Sequence, residues 1–272
     1  MSFPIQAVVF DWAGTMIDHG CRAPVMALLR VFEQAGVPID EAEARADMGR
    51  AKRDHIRAIL SGPRVASAWR ATHGMEPGEQ DVTGLHDEVE PMMRAAAKDC
   101  AVLIPGAADI ASHLREAGVK IGSCTGYTRP MMADILPLAA RQGYAPDMVV
   151  CAGETPEGRP SPLMLWKILA ELGAWPASAC VKVDDAPVGI AEGRGAGVWT
   201  VGLAASGNGV GLDHAALAAL PAGERRQRIA ASEASLRGAG ADYLIDSVAD
   251  LQPVLDAIAA RIAAGGRPAP AL

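Results

Sequence analysis

Short apolar runs, each ending on a polar residue, recur along this chain and restrict its architecture more than any other feature. Ile5–Phe10 runs straight into Asp11, Val119–Ser123 into Cys124-Thr125-Gly126, and Cys180–Val183 into Asp184-Asp185. Met148–Cys151 is a further run of this kind, and Val198–Val201 and Tyr243–Ile245 are weaker ones. Runs this short read as buried strands, not helices. Helical stretches alternate with them over Ala107–Ala117, Pro130–Arg141 and Pro162–Leu172. The alternation predicts an α/β protein with a mostly parallel sheet flanked by helices.

Between Asp18 and Cys100 the pattern changes. Pro24–Gln34, Glu41–Ala46, Arg50–Leu60, Val65–Thr72 and Leu85–Lys98 all read as helix, with no strand among them. The expectation is a helical cap domain, 20–99, inserted after the first strand into a core domain made of 1–19 and 100–272. Gly20 and the stretch 100–105 would be its hinges. A length of 272 residues suits one large domain carrying a smaller insertion. Leu251–Ala264 reads as an Ala-rich amphipathic helix, and 265–272 as a frayed tail. Beyond about residue 205 the chain carries no diagnostic motif.

Composition narrows the function classes. The hydrophobic fraction of 50% supports a sizeable core and excludes global disorder. Aromatics at 4% argue against a stacking platform for single-stranded nucleic acid. The net charge of −7 disfavours a surface built for DNA or anionic membrane. The five cysteines are scattered and odd in number, which reads as free thiols in a reducing compartment. With no membrane-length apolar run and no signal-peptide pattern at the N-terminus, the expectation is a cytoplasmic protein acting on a small molecule, with neither nucleic acid nor membrane as partner.

In an open parallel sheet, ligands collect beyond the carboxyl ends of the strands. Asp11, Thr125-Gly126 and Asp184-Asp185 would all stand there. Carboxylates from two strands can share a divalent cation of the Mg2+ type. A small hydroxyl followed by Gly lets a phosphoryl group approach closely. Any one of these residues alone reads equally well as a helix cap; the three strand ends together point to phosphoryl transfer.

These motifs resemble the haloacid dehalogenase superfamily. Asp11-Trp12-Ala13-Gly14-Thr15 is similar to its nucleophile loop, and Ser123-Cys124-Thr125-Gly126, Gly158-Arg159-Pro160 and Val183-Asp184-Asp185 stand where its later motifs belong. Within it, Gly20-Cys21 and Met48-Gly49…Lys52-Arg53-Asp54-His55 resemble the phosphonoacetaldehyde hydrolase (phosphonatase) family. The resemblance spans about residues 6–202. It implies a Rossmann-like parallel-sheet core with an inserted helical cap, a Mg2+ cofactor and a homodimer, a state that apolar cap helices also favour.

The resemblance also implies roles. Asp11 would be the nucleophile that accepts the phosphoryl group, a usual task for a carboxylate. Two residues on, most phosphatases of the superfamily carry a second Asp as general acid; here Ala13 offers only its main-chain carbonyl, toward Mg2+. Lys52 would attack an aldehyde to form an imine, the electron sink for C–P cleavage, with His55 as proton carrier. Met48, Lys52 and His55 fall at i, i+4 and i+7, on one face of the expected helix. A lysine on a face that meets the core would be desolvated and lose its proton more easily. Arg159, where most members have Lys, would bind phosphonate oxygens, alongside Thr125 and Gly126. Asp185 would be the second metal carboxylate. Gly189 stands where a further Asp often follows, which leaves open whether Asp184 contributes. Taken alone, Lys52 and His55 read as solvated helix residues, Arg159 as a surface arginine, and Cys21 and Tyr127 as packed core groups as readily as pocket residues.

Two glycine clusters, Gly193–Gly197 and Gly207–Gly211, lack a true dinucleotide-binding pattern and read as helix termination and surface turn. The alternatives are a phosphatase or phosphomutase of small phosphate esters on the same fold, which Ala13 and Lys52 oppose, and a catalytically silent binding protein, which the intact motif residues oppose.

Overall fold

Strand β1 (Ala7–Phe10) sits at the centre of a parallel sheet in the order β3-β2-β1-β4-β5-β6. Its neighbours are β2 (Lys120–Cys124) and β4 (Cys180–Asp184), and β3 (Met148–Val150), β5 (Trp199–Leu203) and β6 (Tyr243–Ile245) extend the two sides. Each pairing is parallel, so the C-terminal ends of all these strands lie along one edge. The order reverses at β1, which makes the crevice beyond β1 and β4 the switch point where such sheets bind ligands. This computed structural model describes residues 4–48 and 50–269. Gly49 of the Met48-Gly49 motif, residues 1–3 and the last three residues of the expected tail lie outside the described residues.

The strands form where the apolar runs predict, with shifted ends: the first begins at Ala7 rather than Ile5, and those expected at Val119–Ser123, Cys180–Val183 and Val198–Val201 run on to Cys124, Asp184 and Leu203. All four residues of β1 and all five of β4 are buried, as a two-sided parallel sheet requires. Helices α1 (Arg22–Gln34), α2 (Glu41–Arg45), α3 (Lys52–Ser61), α4 (Pro63–His73) and α5 (Glu79–Asp99) follow in sequence before β2, with no strand among them. Asp40 opens α2 with a capping box: its carboxylate accepts from the Glu43 amide, and Glu43 returns the bond. Helix α5 starts six residues before the expected Leu85, because Asp81 caps the Gly78 amide at 2.7 Å and opens the helix early. Val82, Leu85, Val89, Met93 and Ala97 form its buried stripe.

Helices α6 (Ala107–Glu116), α7 (Arg129–Arg141), α8 (Leu163–Leu172) and α9 (Pro187–Ala196) carry the crossovers between strands. Beyond β5 lie α10 (His214–Ala219), α11 (Ala222–Gly238) and α12 (Leu251–Ala263). Helix α11 escaped the sequence reading because it has almost no apolar stripe; only Ser232 and Leu236 are buried on it. Among the described residues no helix is long and apolar enough to cross a membrane.

Gly122 shows how tightly α8 seats on the sheet that carries the site. A Cβ there would stand 2.4 Å from Ile168 Cγ2 and 3.1 Å from Val9 Cγ2. Gly122→Ala therefore forces repacking, and we expect it to cost about 1–3 kcal/mol of stability. Chemical denaturation is the check: an unchanged unfolding midpoint would mean that this contact yields freely.

Candidate active site

Asp11 leaves β1 at the switch point, and its amide is tied to Val183 O at 3.0 Å, so the strand register itself sets the carboxylate. Asp184 and Asp185 leave β4 beside it, and Thr125 leaves β2, its amide bonded to Val150 O at 3.1 Å. One oxygen from each of Asp11, Asp184 and Asp185 lies within 4.8 Å of the others, and all three residues are buried. This trio can hold a metal ion. Crowding supports the fit: burial first, then the neighbouring carboxylates Asp11 and Asp184, push Asp185 well above the ordinary carboxylate range. A hard cation would reverse that penalty, and carboxylate oxygen is the donor such cations take.

Gly189 now has an explanation. A Cβ there would fall 2.0 Å from Asp184 Oδ2. The Asp184 carboxylate therefore occupies the space that a residue-189 side chain would need. Asp184 belongs to the cluster.

Arg159 is buried, not a surface arginine. Its guanidinium donates from Nη1 to Asp11 Oδ1 at 2.8 Å, from Nε to Glu192 Oε2 at 3.0 Å and from Nη2 to Cys124 O at 2.6 Å. Lys182, fully buried within β4, stands 3.0 Å from Asp184 Oδ2 and 3.3 Å from Glu192 Oε2, and donates to Cys124 Sγ at 3.0 Å. Burial pushes Asp184 up, but the charges of Lys182 and Arg159 outweigh it and hold the carboxyl below its usual range. For Asp11 burial wins: its carboxyl rises to about 6, despite Arg159. Sequence reading missed Lys182 and Glu192. Nothing marks a strand lysine or a helical glutamate until tertiary register brings them together.

Of the candidate site residues read from the sequence, all but His55 and Asp184 line one cavity of about 40 Å³: Asp11, Ala13, Cys21, Met48, Lys52, Thr125, Gly126, Tyr127, Arg159 and Asp185. Pro24, Arg50 and Ala186 join them. Arg50, absent from the sequence reading, adds a cation to the wall and pairs with Asp47 at 3.0 Å. The carboxylates come from strand ends, and Lys52 comes from the first turn of α3, so the cavity lies between sheet edge and helical segment. Met48 is not on the helix of Lys52, as its spacing had suggested. Asp47 takes a left-handed φ of 51° and Ala51 has a non-helical ψ of 137°, which stops any helix short of Lys52. Met48 still reaches the cavity from that turn.

Lys52 keeps partial exposure, yet protein crowds its amine. Desolvation lowers its pKa from 10.5 to about 8, partly opposed by Cys21. Near pH 7 that leaves roughly a tenth of the amine neutral, against well under a thousandth for a free lysine. His55 Nδ1 stands 3.2 Å from Lys52 Nζ. The histidine is fully buried, and burial first, then the Lys52 charge, depress its pKa to about 2. It is therefore neutral at physiological pH, and the near-neutral titration expected from its residue type is lost. Tyr127 is buried with its hydroxyl unpartnered, and its amide donates to Thr125 Oγ1 at 3.1 Å.

The sequence Ser206–Gly211 is not a surface turn. Ser206 is fully buried, and Asn208 donates its amide to Asp185 Oδ2 at 2.7 Å, while Thr15 Oγ1 donates to Oδ1 at 3.2 Å. Asp18, also unpredicted, accepts from the Arg22 and Ala23 amides and so caps the start of α1.

Known proteins are similar to this chain in sequence and fold. The family model for haloacid dehalogenase-like hydrolases matches residues 5–197. A phosphonoacetaldehyde hydrolase of Paraburkholderia phytofirmans is 51% identical over 97% of this chain and 99% of its own. Another, of Nitratidesulfovibrio vulgaris, is 45% identical over 98% of this chain and 96% of its own. The crystal structure of a phosphonoacetaldehyde hydrolase like protein from Oleispira antarctica superposes with a TM-score of 0.95 at 42% identity, covering 97% of this chain and 96% of that one.

The depressed pKa of Lys52 gives a direct test. As pH rises through about 8 the amine loses its proton and becomes nucleophilic. Acetic anhydride labelling across pH, read by peptide mass spectrometry, is expected to give Lys52 a midpoint near that value. A midpoint near the ordinary lysine value of about 10.4 would contradict the desolvated site.

Proposed function

This chain belongs to the phosphonoacetaldehyde hydrolase family of the haloacid dehalogenase-like hydrolases, and from that premise we propose that it cleaves the C–P bond of phosphonoacetaldehyde to give acetaldehyde and phosphate. One observation carries the reading: a lysine amine with a pKa near 8 shares a cavity with the Asp11 carboxylate. A phosphate-ester hydrolase has no use for that amine. Such an enzyme does need a general acid beside its nucleophile, and Ala13 has no proton to give.

The proposed sequence begins with neutral Lys52 condensing with the aldehyde, releasing water and forming an imine that is protonated to the iminium. Neutral His55, 3.2 Å from the amine, holds and orients it, and its depressed pKa leaves the proton transfers to water rather than to the imidazole. The Asp11 carboxylate then attacks phosphorus while the C–P electron pair moves toward the iminium, leaving an enamine and an aspartyl-phosphate. Protonation of the enamine carbon and hydrolysis of the resulting iminium release acetaldehyde and restore Lys52. Water attack on the aspartyl-phosphate releases phosphate and restores Asp11. Arg159, Thr125 and Gly126 would hold the phosphonate oxygens, and Met48, Cys21 and Tyr127 would enclose the substrate carbons.

Asp11, Asp184, Asp185 and the Ala13 carbonyl would hold Mg2+. When bound, the ion neutralises charge on the phosphonate and on the crowded carboxylates. We propose that residues 20–99 act as a cap domain over a core of 1–19 and 100–272, so that closing brings Lys52 to Asp11 and excludes water. The proposed assembly is a cytoplasmic homodimer joined through the helical segment. Met26 on α1, 53% exposed beside the α5 residues Pro91 and Met92, supports such a contact.

Phosphate release tests the reading. The chain is expected to liberate phosphate from phosphonoacetaldehyde in preference to p-nitrophenyl phosphate, to stop when EDTA is added, and to resume with Mg2+. Asp11→Asn, which keeps the shape but removes the nucleophile, is expected to abolish turnover without unfolding the protein. Faster release from the ester would favour the phosphatase alternative.

A further inference from the structure

The loop Ser206–Gly211 touches three parts of the molecule whose meeting completes the site. Ser206 O accepts the Gly20 amide at 2.7 Å, at the expected hinge, and Ser206 Oγ donates to Gly14 O at 2.8 Å. Gly207 and Gly14 pinch Asp185 between them. A Cβ on Gly207 would stand 2.2 Å from the Asp185 Cβ, and one on Gly14, where φ is 84°, would stand 2.4 Å from Asp185 Oδ2. Only glycine admits the carboxylate at both places. Asn208 comes next, and its amide holds Asp185 Oδ2.

The Asn208 side chain is bonded to the helical segment instead. Nδ2 donates to Arg45 O at 3.1 Å, and Oδ1 accepts from Arg45 Nη1 at 3.2 Å. Arg45, at the end of α2, also donates from Nη1 to Gly20 O and from Nη2 to Gly211 O, both at 2.9 Å. A Cβ on Gly211 would fall 2.7 Å from that guanidinium. One arginine thus spans the hinge and both arms of the loop, with its side chain only 15% exposed.

We infer that Arg45 and Asn208 form a latch that couples docking of the helical segment to the orientation of Asp185, so that closure and metal binding each favour the other. Asn208 belongs to both sides of the coupling, gripping Asp185 with its backbone and α2 with its side chain. Its amide stays aimed at the carboxylate only while the loop is fixed, and Arg45 fixes the loop. When α2 undocks, Asn208 loses both side-chain partners and Asp185 regains rotamer freedom. Neither residue contacts the reacting groups; both are positioning residues. The inference rests on the metal role proposed for Asp185 but not on C–P chemistry.

Linkage makes the coupling reciprocal, so it can be read from either end and without substrate. The probe is Mg2+ alone, added to the full chain. Hydrogen exchange of residues 41–48 is measured with and without the ion, and Mg2+ affinity is measured by titration calorimetry. Arg45→Met keeps the apolar stem and removes the donors; Asn208→Ala keeps the amide that holds Asp185. In the wild-type chain Mg2+ is expected to slow exchange over 41–48. In Asn208→Ala that slowing is expected to vanish, and in both variants the Mg2+ dissociation constant is expected to rise on the order of fivefold. Unchanged exchange over 41–48 in the wild-type chain overturns the proposal, with no variant needed. So does Mg2+ affinity within about twofold of wild type in both variants, once circular dichroism shows them folded. Because neither readout uses the aldehyde, failure here is separate from failure of the proposed reaction.

Discussion

The structure depends on a knot of buried charge at the sheet switch point. Asp11, Asp184 and Glu192 share two cations, Arg159 and Lys182, and all five side chains are buried. Desolvating such groups is costly, and removing one member of a buried pair typically costs about 3–5 kcal/mol because its partner is left stranded. The protein accepts that cost where β1 and β4 end side by side. The result is a fixed guanidinium against the Asp11 carboxylate and a fourth carboxylate, Asp185, held apart by Thr15 and Asn208. Arg159 in place of the lysine common in the superfamily fits this plan. A fork can engage Asp11, Glu192 and the Cys124 carbonyl at once, which a single ammonium cannot do with fixed direction.

Facing this charged floor is an amine that is losing its charge. The two lysines near the site follow opposite rules. Burial and Arg159 oppose the charge of Lys182, yet Cys124, Asp184 and Glu192 raise its pKa above the ordinary range and keep it protonated. Among the described residues no carboxylate offsets the burial of Lys52, and its pKa falls to about 8. One lysine is held charged by its neighbours; the other is eased toward its neutral form. His55 is kept neutral by the same burial, so the amine has a hydrogen-bond partner that adds no competing charge.

Much of this was legible in the sequence, for definable reasons. The strand ends could be read because an apolar run that stops at Asp11 or Asp184 marks both a buried strand and a group left at its tip. Lys52 became legible only through its resemblance to a family motif, since a lone helix lysine is otherwise ordinary. Lys182 and Glu192 were not legible: their meaning comes from the pairing of β1 with β4 and from the seating of α9, which no local pattern records. Gly189 was visible as an anomaly, but coordinates were needed to show that the Asp184 carboxylate fills the space beside it. The loop at Gly207 misled because glycines that mark a surface turn are also what close packing around a carboxylate demands. Helix α11 was missed because its sequence is polar nearly all round.

The central claim is that Lys52 forms an imine with the substrate, which sets C–P cleavage apart from ester hydrolysis on this fold. Borohydride added during turnover of phosphonoacetaldehyde captures an imine as a stable secondary amine. The account predicts irreversible loss of activity and a two-carbon mass gain on the peptide containing Lys52, with neither labelling nor turnover in Lys52→Arg. Full activity after borohydride during turnover, with no adduct at Lys52, would contradict it.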